Sequence, residues 1–244
     1  MSGPKQALDL SILAPVYNER ENLEPLVREI REALAPAGLT MEILLVDDGS
    51  TDGSSEKIAE LAGAADSEVR GLHFKHNRGQ TAAFDAGFKA ARGRWVVTLD
   101  ADLQNDPRDI PALLEALSSF DAVVGYRQSR EDNLLRRISS KLANAIRNRL
   151  SGDDIIDTGC SLKAFRRECL AGLKLFTGMH RFLPTLLRIE GYRVTQIPVS
   201  HRPRQAGASK YGVSNRALPA FEDLLAVRWM KKRRLDYEVD RYDS

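Results

Sequence analysis

The sequence lacks several features that would place it in a broad class of proteins. Its 244 residues include only two cysteines, Cys160 and Cys169, which are too few for a disulfide framework or a cysteine metal site. We therefore expect both thiols to lie in the core of a protein from a reducing compartment. The N-terminus has no basic segment followed by an apolar run, as a signal peptide would. No apolar run approaches the roughly 18 to 20 residues needed to cross a bilayer, so we expect a soluble or surface-bound chain.

Two common nucleotide-binding motifs are also missing. The chain has neither the Gly-x-Gly-x-x-Gly of dinucleotide folds nor the Gly-Lys-Ser/Thr of a phosphate loop, which argues against nicotinamide enzymes and ATPases. Charge is nearly balanced, with 36 basic and 34 acidic residues, and we expect no nucleic-acid partner. A chain of this length fits one large domain, predicted over residues 1–212, followed by an amphipathic helix and polar tail over 213–244.

Strand and helix patterns alternate along the chain. Apolar, β-branched runs predict strands over 8–16, 41–46, 69–74 and 95–99, with helical patterns between them. This alternation predicts parallel β-α-β units, and hence an α/β fold whose sheet is covered by helices on both faces. Further along, the patterns predict helices over 109–117 and 178–189, strands over 120–125 and 192–199, and a strand soon after Asp157.

The strand predicted over 95–99 ends in acid. Asp100 and Asp102 follow it directly, and alternation along an extended chain would turn both carboxylates, and then Gln104, to the same side. Carboxylate and amide oxygens suit a hard cation, and Mg²⁺ is usually held by one or two carboxylates plus substrate phosphates. For this motif taken alone, an ordinary acidic turn that closes a strand is the alternative.

Two other strands end in unusual polar sequences. Residues 15–19 read Pro-Val-Tyr-Asn-Glu, and residues 46–52 read Val-Asp-Asp-Gly-Ser-Thr-Asp. Ligands of open α/β sheets bind outside the carboxyl ends of the strands. We therefore expect these segments and the acidic strand end to converge on one crevice.

These motifs, together with Asn-Arg-Gly at 77–79 and Leu-Asp-Ala-Asp-Leu-Gln at 99–104, resemble those of the family 2 glycosyltransferases. The resemblance covers residues 8–212 and is greatest to polyprenyl-phosphate sugar transferases similar to dolichyl-phosphate mannose synthase. It implies the GT-A fold, a Rossmann-like and mostly parallel sheet flanked by helices, with amphipathic helices on the acceptor side. It also implies inverting transfer of a sugar from GDP-mannose or a UDP-hexose to dolichyl or undecaprenyl phosphate at the cytoplasmic membrane face.

The resemblance assigns roles on the donor side of the site. It implies that Asp100, Asp102 and Gln104 hold Mg²⁺ or Mn²⁺ on the diphosphate, with Asp102 counted as catalytic. Cations in the loop after residue 200 would neutralise that diphosphate. The residues expected to bind the nucleotide sugar are Pro15, Tyr17, Glu19, Asp47, Asp48, Gln80, Asp100, Ala101, Asp102, Arg202 and Lys210.

On the acceptor side, a basic helical pattern follows Arg127. Its apolar stripe over 134–150 is interleaved with arginine and lysine, which is typical of a helix that binds a membrane surface or an anionic ligand. A core-packed helix with a solvated basic face is the alternative. The resemblance favours the first interpretation and implies that Arg127, Arg137, Ser140 and Arg181 bind the acceptor phosphate, for which the planar guanidinium is well matched.

Asp157 is the candidate for a catalytic base or an acceptor-orienting group. A phosphate monoester is largely a dianion at neutral pH and needs no base, whereas a sugar hydroxyl does. Three functions therefore stay open from the sequence. They are transfer to a polyprenyl phosphate, a soluble transferase acting on a saccharide hydroxyl, and a non-catalytic nucleotide-sugar-binding protein, against which the intact Asp100, Asp102 and Gln104 argue.

The last helical pattern carries large apolar side chains. Leu218, Phe221, Leu224, Leu225 and Trp229 predict an amphipathic helix that precedes Met-Lys-Lys-Arg-Arg at 230–234. Tryptophan and cations suit the headgroup layer of an anionic membrane, and packing on the domain with a solvated basic end is the alternative. We expect a cytoplasmic protein attached peripherally to the inner face of the cell membrane.

Overall fold

The computed structural model describes residues 8–127, 154–203 and 217–235, together with residues 237 and 240. These residues contain a seven-stranded sheet flanked by helices. The strands are β1 Leu10–Val16, β2 Met41–Asp47, β3 Val69–His73, β4 Trp95–Thr98, β5 Ala122–Arg127, β6 Lys163–Arg166 and β7 Val194–Val199. The α-helices are α1 Arg20–Leu34, α2 Ser54–Gly63, α3 Gln80–Ala90, α4 Ile110–Ala116, α5 Leu183–Ile189 and α6 Ala217–Arg233. Short 3-10 helices occupy Ala35–Ala37, Pro107–Asp109, Arg167–Leu170 and Met179–Phe182.

The sheet is mostly parallel, as the sequence predicts. Its strand order is β3-β2-β1-β4-β6-β5-β7. Strands β1 to β4 run parallel to one another, β5 runs parallel to β7, and β6 is antiparallel to both of its neighbours. The α/β fold class is therefore confirmed, and the reversed β6 is a feature that the alternating pattern did not indicate.

Two apolar layers cover the sheet. On one face, β1 and β2 side chains pack with Leu23, Leu26 and Ile30 of α1 and with α4. On the other face, Leu13 and Leu44 pack with α3 and α5. Burial of both faces explains why these strands read as continuous apolar runs rather than alternating ones. Cys160 and Cys169 are free and buried in these layers, as expected.

Predicted and observed strand boundaries differ by one or two residues, and two of these differences bear on the site. β4 ends at Thr98, so the acidic residues that follow lie beyond the regular strand. The next strand was predicted over 120–125 but spans Ala122–Arg127. Phe120 instead closes α4, its backbone N–H donating to the Ala116 carbonyl at 3.2 Å. Arg127 is therefore the last residue of β5, at the carboxyl end where a ligand would bind.

Helix α6 distributes its apolar side chains over two faces rather than one stripe. Leu224 and Val227 are buried against Met179, Phe182 and Leu186, so the helix packs on the domain. On the other face, the large apolar side chains that stay exposed are Phe221 at 46%, Leu225 at 45% and Trp229 at 63%. Among the described helices, none is both long and apolar enough to cross a membrane.

A buried polar network closes the amino end of the sheet. Glu42 of β2 is almost fully buried, and its carboxylate accepts hydrogen bonds from Ser11 Oγ at 2.6 Å and the Arg92 backbone N–H at 2.7 Å. Arg70 of β3 also forms an ion pair with Glu42 at 2.5 Å. The Gly93 N–H donates to Ser11 Oγ at 2.8 Å. The network joins three strands and the turn before β4, and so fixes the sheet far from the strand ends that carry the acidic motifs.

Candidate active site

The polar segments predicted to converge do meet at one edge of the sheet. The register aligns Val16 of β1 with Asp47 of β2, and both strands end there. The following loops are tied together by backbone groups: the Thr51 N–H donates to Asn18 Oδ1 at 2.8 Å, and the Asn18 N–H donates to Ser50 Oγ at 2.9 Å. Asn18 adopts a left-handed φ of 54°. The tips of β1 and β2 thus form one continuous rim.

The two acids at the end of β2 organise the next loops. Asp47, the last residue of β2, accepts from the Ser50 backbone N–H at 3.0 Å. Asp48 is buried and accepts from the backbone N–H groups of Arg78 at 2.6 Å and Gly79 at 2.8 Å. Burial raises the pKa of Asp48 despite these two hydrogen bonds. Gly49 has a φ of 72°, and a Cβ there would lie 2.7 Å from the Asn77 backbone N. Only glycine fits this position, which brings the Asn-Arg-Gly segment against the rim and starts α3.

Gln80, the first residue of α3, reaches the acidic motif. Its Nε2 donates to Asp100 Oδ1 at 2.8 Å. Burial, together with the nearby Asp102, raises the pKa of Asp100. Two of the segments named from the sequence are thus in direct contact, and Asp100 and Asp102 lie close enough to interact.

The acidic motif is a turn and not an extended strand. Leu103 is buried with a left-handed φ of 62°, a conformation that costs a non-glycine residue roughly 1 kcal/mol or more. Asp102 Oδ1 accepts from the Gln104 backbone N–H at 3.2 Å. The expectation that strand alternation aligns Asp100, Asp102 and Gln104 is therefore wrong; a strained turn brings the two carboxylates together instead.

The turn offers an incomplete set of metal ligands. Within the described residues, no group of three or more His, Cys, Asp or Glu side chains is arranged to hold a metal. Asp100 and Asp102 supply two neighbouring carboxylates, and Gln104 lies beside them with its Nε2 donating to the Arg202 carbonyl at 3.4 Å. Two interacting carboxylates fit a hard divalent cation whose remaining ligands are water and substrate oxygens.

Arg127 and Asp157 form a bidentate ion pair at the end of β5. Arg127 Nε donates to Asp157 Oδ2 at 2.6 Å, and its second guanidinium nitrogen donates to Oδ1 at 2.9 Å. Burial alone would lower the pKa of Arg127, but the ion pair outweighs this effect and raises it. Both oxygens of Asp157 are therefore engaged by the guanidinium, an arrangement that holds Arg127 in one orientation. The role of Asp157 as a base or an acceptor-orienting group stays a prediction.

A cavity of about 340 Å³ connects these elements. Thr81 Oγ1 hydrogen-bonds His180 Nδ1 at 2.7 Å, which joins α3 to the 3-10 helix that carries Arg181. The residues that line the cavity come from both halves of the sheet: Gln80, Phe84, Asp100, Thr158, Gly159, Ser161, Lys163, His180 and Arg181. The structure thus places Arg181, a predicted acceptor residue, beside two predicted donor residues.

The backbone of Arg202 contacts the acidic turn, whereas its side chain forms ion pairs elsewhere. Its N–H donates to the Gln104 carbonyl at 2.9 Å. Its guanidinium pairs with Glu29 of α1 at 2.6 Å and with Asp106 at 2.7 Å, on the far side of the acidic turn. Its role toward a diphosphate stays a prediction.

The other predicted site residues lie as follows. Pro15, Tyr17 and Glu19 lie on the rim, where Glu19 Oε2 accepts from Asn22 Nδ2 at 2.6 Å. Ala101 is buried in the acidic turn. Residues Arg137, Ser140 and Lys210 fall outside the described residues.

Sequence reasoning missed two residues at this site. Asn105 is buried, and its Oδ1 accepts from the Asp100 N–H at 3.3 Å and from Ser161 Oγ at 2.6 Å, so it joins the acidic turn to the segment before β6. Lys163 is a fully buried lysine in the cavity wall. The sequence did contain a signal for Lys163, because it is a charged residue between Leu162 and the apolar Ala164 and Phe165. Lysine is almost never fully buried unless it has a partner.

The sequence resembles known transferases of lipid-linked sugars. A dodecaprenyl-phosphate galacturonate synthase of Rhizobium johnstonii is 39% identical over 234 residues, which cover 94% of this chain and 69% of that protein. An undecaprenyl-phosphate 4-deoxy-4-formamido-L-arabinose transferase of Salmonella paratyphi B is 41% identical over 203 residues, which cover 83% of this chain and 62% of that protein. The chain thus spans less than two thirds of the length of the Salmonella relative.

The fold is shared with solved glycosyltransferase structures. Glucosyl-3-phosphoglycerate synthase of Mycobacterium tuberculosis, solved with Mn²⁺, UDP and phosphoglyceric acid, matches with a TM-score of 0.65 at 20% identity over 95% of this chain and 81% of that one. A mannosyltransferase of Pyrobaculum calidifontis, solved with GDP-Man and Mn²⁺, matches with a TM-score of 0.63 at 21% identity over 94% of this chain and 71% of that one. These likenesses confirm the predicted GT-A fold.

The family assignment comes from the sequence match itself. The model of "Glycosyl transferase family 2" matches residues 11–173, a range that contains the rim, the acidic turn and the Arg127–Asp157 pair. Together with the identity to the Rhizobium relative, this match shows that the chain belongs to glycosyl transferase family 2.

Proposed function

We propose that this protein transfers a sugar from a nucleotide diphosphate sugar to a polyprenyl phosphate at the cytoplasmic face of a membrane. The observation that carries the proposal is the shared cavity, in which Asp100 of the acidic turn lies beside the segment that follows Asp157. A donor side and an acceptor side therefore face one space. The names of the two relatives, both of which are polyprenyl-phosphate enzymes, support the choice of acceptor.

On the donor side, the rim holds the nucleotide and the acidic turn holds its diphosphate. Asp100 and Asp102, with Gln104 beside them, would hold Mg²⁺ or Mn²⁺, the ions found in the solved neighbours. When bound, the cation supplies positive charge to the departing diphosphate. Gln80 fixes the carboxylate of Asp100 through its hydrogen bond of 2.8 Å, so this chain presents the ligand oxygens in one orientation.

On the acceptor side, Arg127 binds the lipid phosphate. Asp157 accepts two hydrogen bonds from its guanidinium, and this ion pair orients the Arg127 side chain before the acceptor binds. A phosphate monoester is largely dianionic at neutral pH and attacks without a general base. The engaged state of Asp157 suits this acceptor better than a sugar hydroxyl. A single displacement of this kind inverts the anomeric carbon.

The membrane is approached through α6. Its exposed apolar side chains, Phe221, Leu225 and Trp229, lie four residues apart and so share one face of the helix. The basic residues 231–234 follow directly and are exposed. Apolar contact with the acyl boundary and attraction to anionic headgroups together favour peripheral attachment.

The test is release of nucleotide diphosphate from UDP- and GDP-sugars, with and without metal and polyprenyl phosphate. We expect release that requires both Mg²⁺ or Mn²⁺ and the lipid. Stimulation by saccharides in place of the lipid would identify the hydroxyl-directed transferase, and binding without release would identify a non-catalytic binding protein.

A matched pair of variants tests the site. Asp102→Ala should abolish release while thermal unfolding stays close to wild type. The control is Asp85→Ala, which removes a partly exposed carboxylate of α3 that pairs with Lys89 and should leave activity unchanged. Near wild-type activity of Asp102→Ala with metal present would refute the assignment of the acidic turn.

A further inference from the structure

Lys163 occupies an unusual position for a charged residue. It is the first residue of β6, where it pairs with Thr98 of β4 and Val124 of β5 in the middle of the sheet. Only 4% of its surface is exposed, and its side chain forms part of the wall of the 340 Å³ cavity. Burial lowers the pKa of Lys163, although the nearby carboxylates of Asp100 and Asp157 oppose this effect. The strand therefore places between donor and acceptor an amine whose charged form a bound anion would favour.

The described residues satisfy this ammonium only in part. It has three N–H donors, and the acceptor found for them in the described chain is the Cys160 carbonyl. The nearby carboxylates are engaged elsewhere: Asp157 with Arg127 in a bidentate pair, and Asp100 with the Gln80 amide. A buried ammonium with unused donors is costly, so a polar partner from outside the described chain is expected in the cavity.

A second cation faces the same space. Arg181 lines the cavity. Within the described residues, its positive charge interacts with the carboxylate of Asp223 in α6. Asp100 is the one carboxylate among the described lining residues, and in the proposed function it holds a divalent cation. Asp100 therefore offsets only one of the two cationic side chains when Lys163 is protonated, and a bound oxyanion would favour that protonated form.

We infer that Lys163 and Arg181 form a subsite that binds an oxyanion of a substrate inside the transfer cavity. This inference rests on the proposed function and deepens it. A cavity of about 340 Å³ lies at the small end of ligand sites, about 300–1,000 Å³, and suits one sugar or one phosphate. The oxyanion is thus either a carboxylate on the transferred sugar, as in a hexuronate, or the phosphate of the acceptor.

The experiment compares Lys163→Met, which keeps the length and removes the charge, with Lys163→Arg, which keeps the charge. Lys89→Met is the control, since Lys89 is exposed on α3. Calorimetry measures the Kd of three ligands with Mg²⁺ present: a nucleotide hexuronate, the matching neutral nucleotide hexose and a short isoprenyl monophosphate. Both nucleotide sugars are tested as UDP and as GDP derivatives. Loss of one charge-assisted hydrogen bond should weaken the oxyanion ligand about 10- to 100-fold in Lys163→Met.

The pattern of losses identifies the source of the oxyanion. A loss confined to the hexuronate assigns the subsite to the sugar, and a loss confined to the isoprenyl phosphate assigns it to the acceptor. In both cases Lys163→Arg should recover most of the affinity, and the neutral hexose should bind as in wild type. Equal affinity of wild type and Lys163→Met for both oxyanions, or equal losses for all three ligands, would overturn the inference.

Thermal unfolding separates this role from a structural one. Removal of a buried, partly satisfied ammonium should leave Tm unchanged or raise it, whereas a structural lysine would lower Tm on removal. Metal-dependent release by wild type is measured in the same preparations. If wild type glycosylates the lipid while Lys163→Met binds every ligand normally, only this inference fails and the proposed function stands.

Discussion

The ion pair between Arg127 and Asp157 makes a sharp prediction about which residue acts on the substrate. Three variants define a cycle: Asp157→Ala, Arg127→Ala and the double variant. In the proposed function Asp157 acts by holding Arg127, so we expect removal of either residue to impair the same step of the reaction. The double variant should then be no less active than Arg127→Ala alone.

The expected magnitudes follow from burial of the pair. The two side chains are 16% and 12% exposed, so each single variant leaves an uncompensated charge in a mostly buried position. Breaking such a pair costs about 3–5 kcal/mol, and we take about 3 because the pair is not fully buried. In a chain of this size that lowers Tm by about 6–12 °C. The double variant should lose less than the sum of the single variants, since no charge is left alone.

Two assays read the cycle. Thermal unfolding gives the coupling between the side chains, and initial rates with polyprenyl phosphate give kcat and KM. We expect KM for the lipid to rise in all three variants by a similar factor, about 10- to 100-fold for one lost arginine–phosphate contact.

The result that refutes this reasoning is a selective loss of kcat. If Asp157 is a base, Asp157→Ala loses far more kcat than Arg127→Ala, and the losses multiply in the double variant. The pH profile of wild type would then show a carboxylate titration that Asp157→Ala lacks. Such an outcome would also point to a sugar hydroxyl as the acceptor.

Three further predictions concern stability and the membrane. Glu42→Gln should lower the free energy of unfolding by about 2–4 kcal/mol in urea titrations, since a buried carboxylate with three donors becomes neutral. The control Glu60→Gln, at an exposed carboxylate, should change that free energy by no more than about 0.5 kcal/mol. Burial alone would raise the pKa of Asp106, but hydrogen bonds from Arg108 and Arg202 hold it well below its ordinary value. Ionised Asp106 therefore stabilises the fold fully at pH values above its unfolded pKa of about 3.9, and this stabilisation is lost as the pH falls below that value. The difference in unfolding free energy between wild type and Asp106→Asn should therefore become smaller at acidic pH. Trp229→Ala should weaken sedimentation with anionic vesicles about tenfold at unchanged Tm; equal sedimentation of both proteins would contradict a membrane role for α6.

Much of the fold and of the donor side could be predicted because the signals are local. The rim and the acidic turn each follow a strand that is buried on both faces, and such strands are marked by apolar, β-branched runs. Parallel β-α-β topology then brings the strand ends to one edge. The contact between Gln80 and Asp100 follows from that topology, and so does the position of Arg127 at the end of β5.

The acceptor side could be predicted only in part because its geometry depends on contacts between distant segments. The pairing of Arg127 with Asp157 joins residues 30 positions apart, and nothing in either local sequence specifies it. The guanidinium of Arg202 goes to Glu29, 173 positions away, although its cationic neighbourhood pointed to a diphosphate. Alternation failed in the acidic motif because the strand ends at Thr98 and the chain turns at residues 101–102, just before the left-handed Leu103, which periodicity does not reveal. The division of α6 into two faces likewise depends on what packs against Leu224 and Val227.

The reversed direction of β6 has a consequence for how such enzymes diversify. Strand β5 ends at the catalytic edge, and β6, running the other way, begins there. The described ends of the connection, Arg127 and Lys163, therefore lie at the same edge of the sheet. The pairing of β1 with β2 and with β4 involves none of the residues between β5 and β6. On the proposed function, we expect exchange of this one segment between relatives to change the acceptor while the donor-side strands keep their pairing, both in evolution and in engineered chimeras.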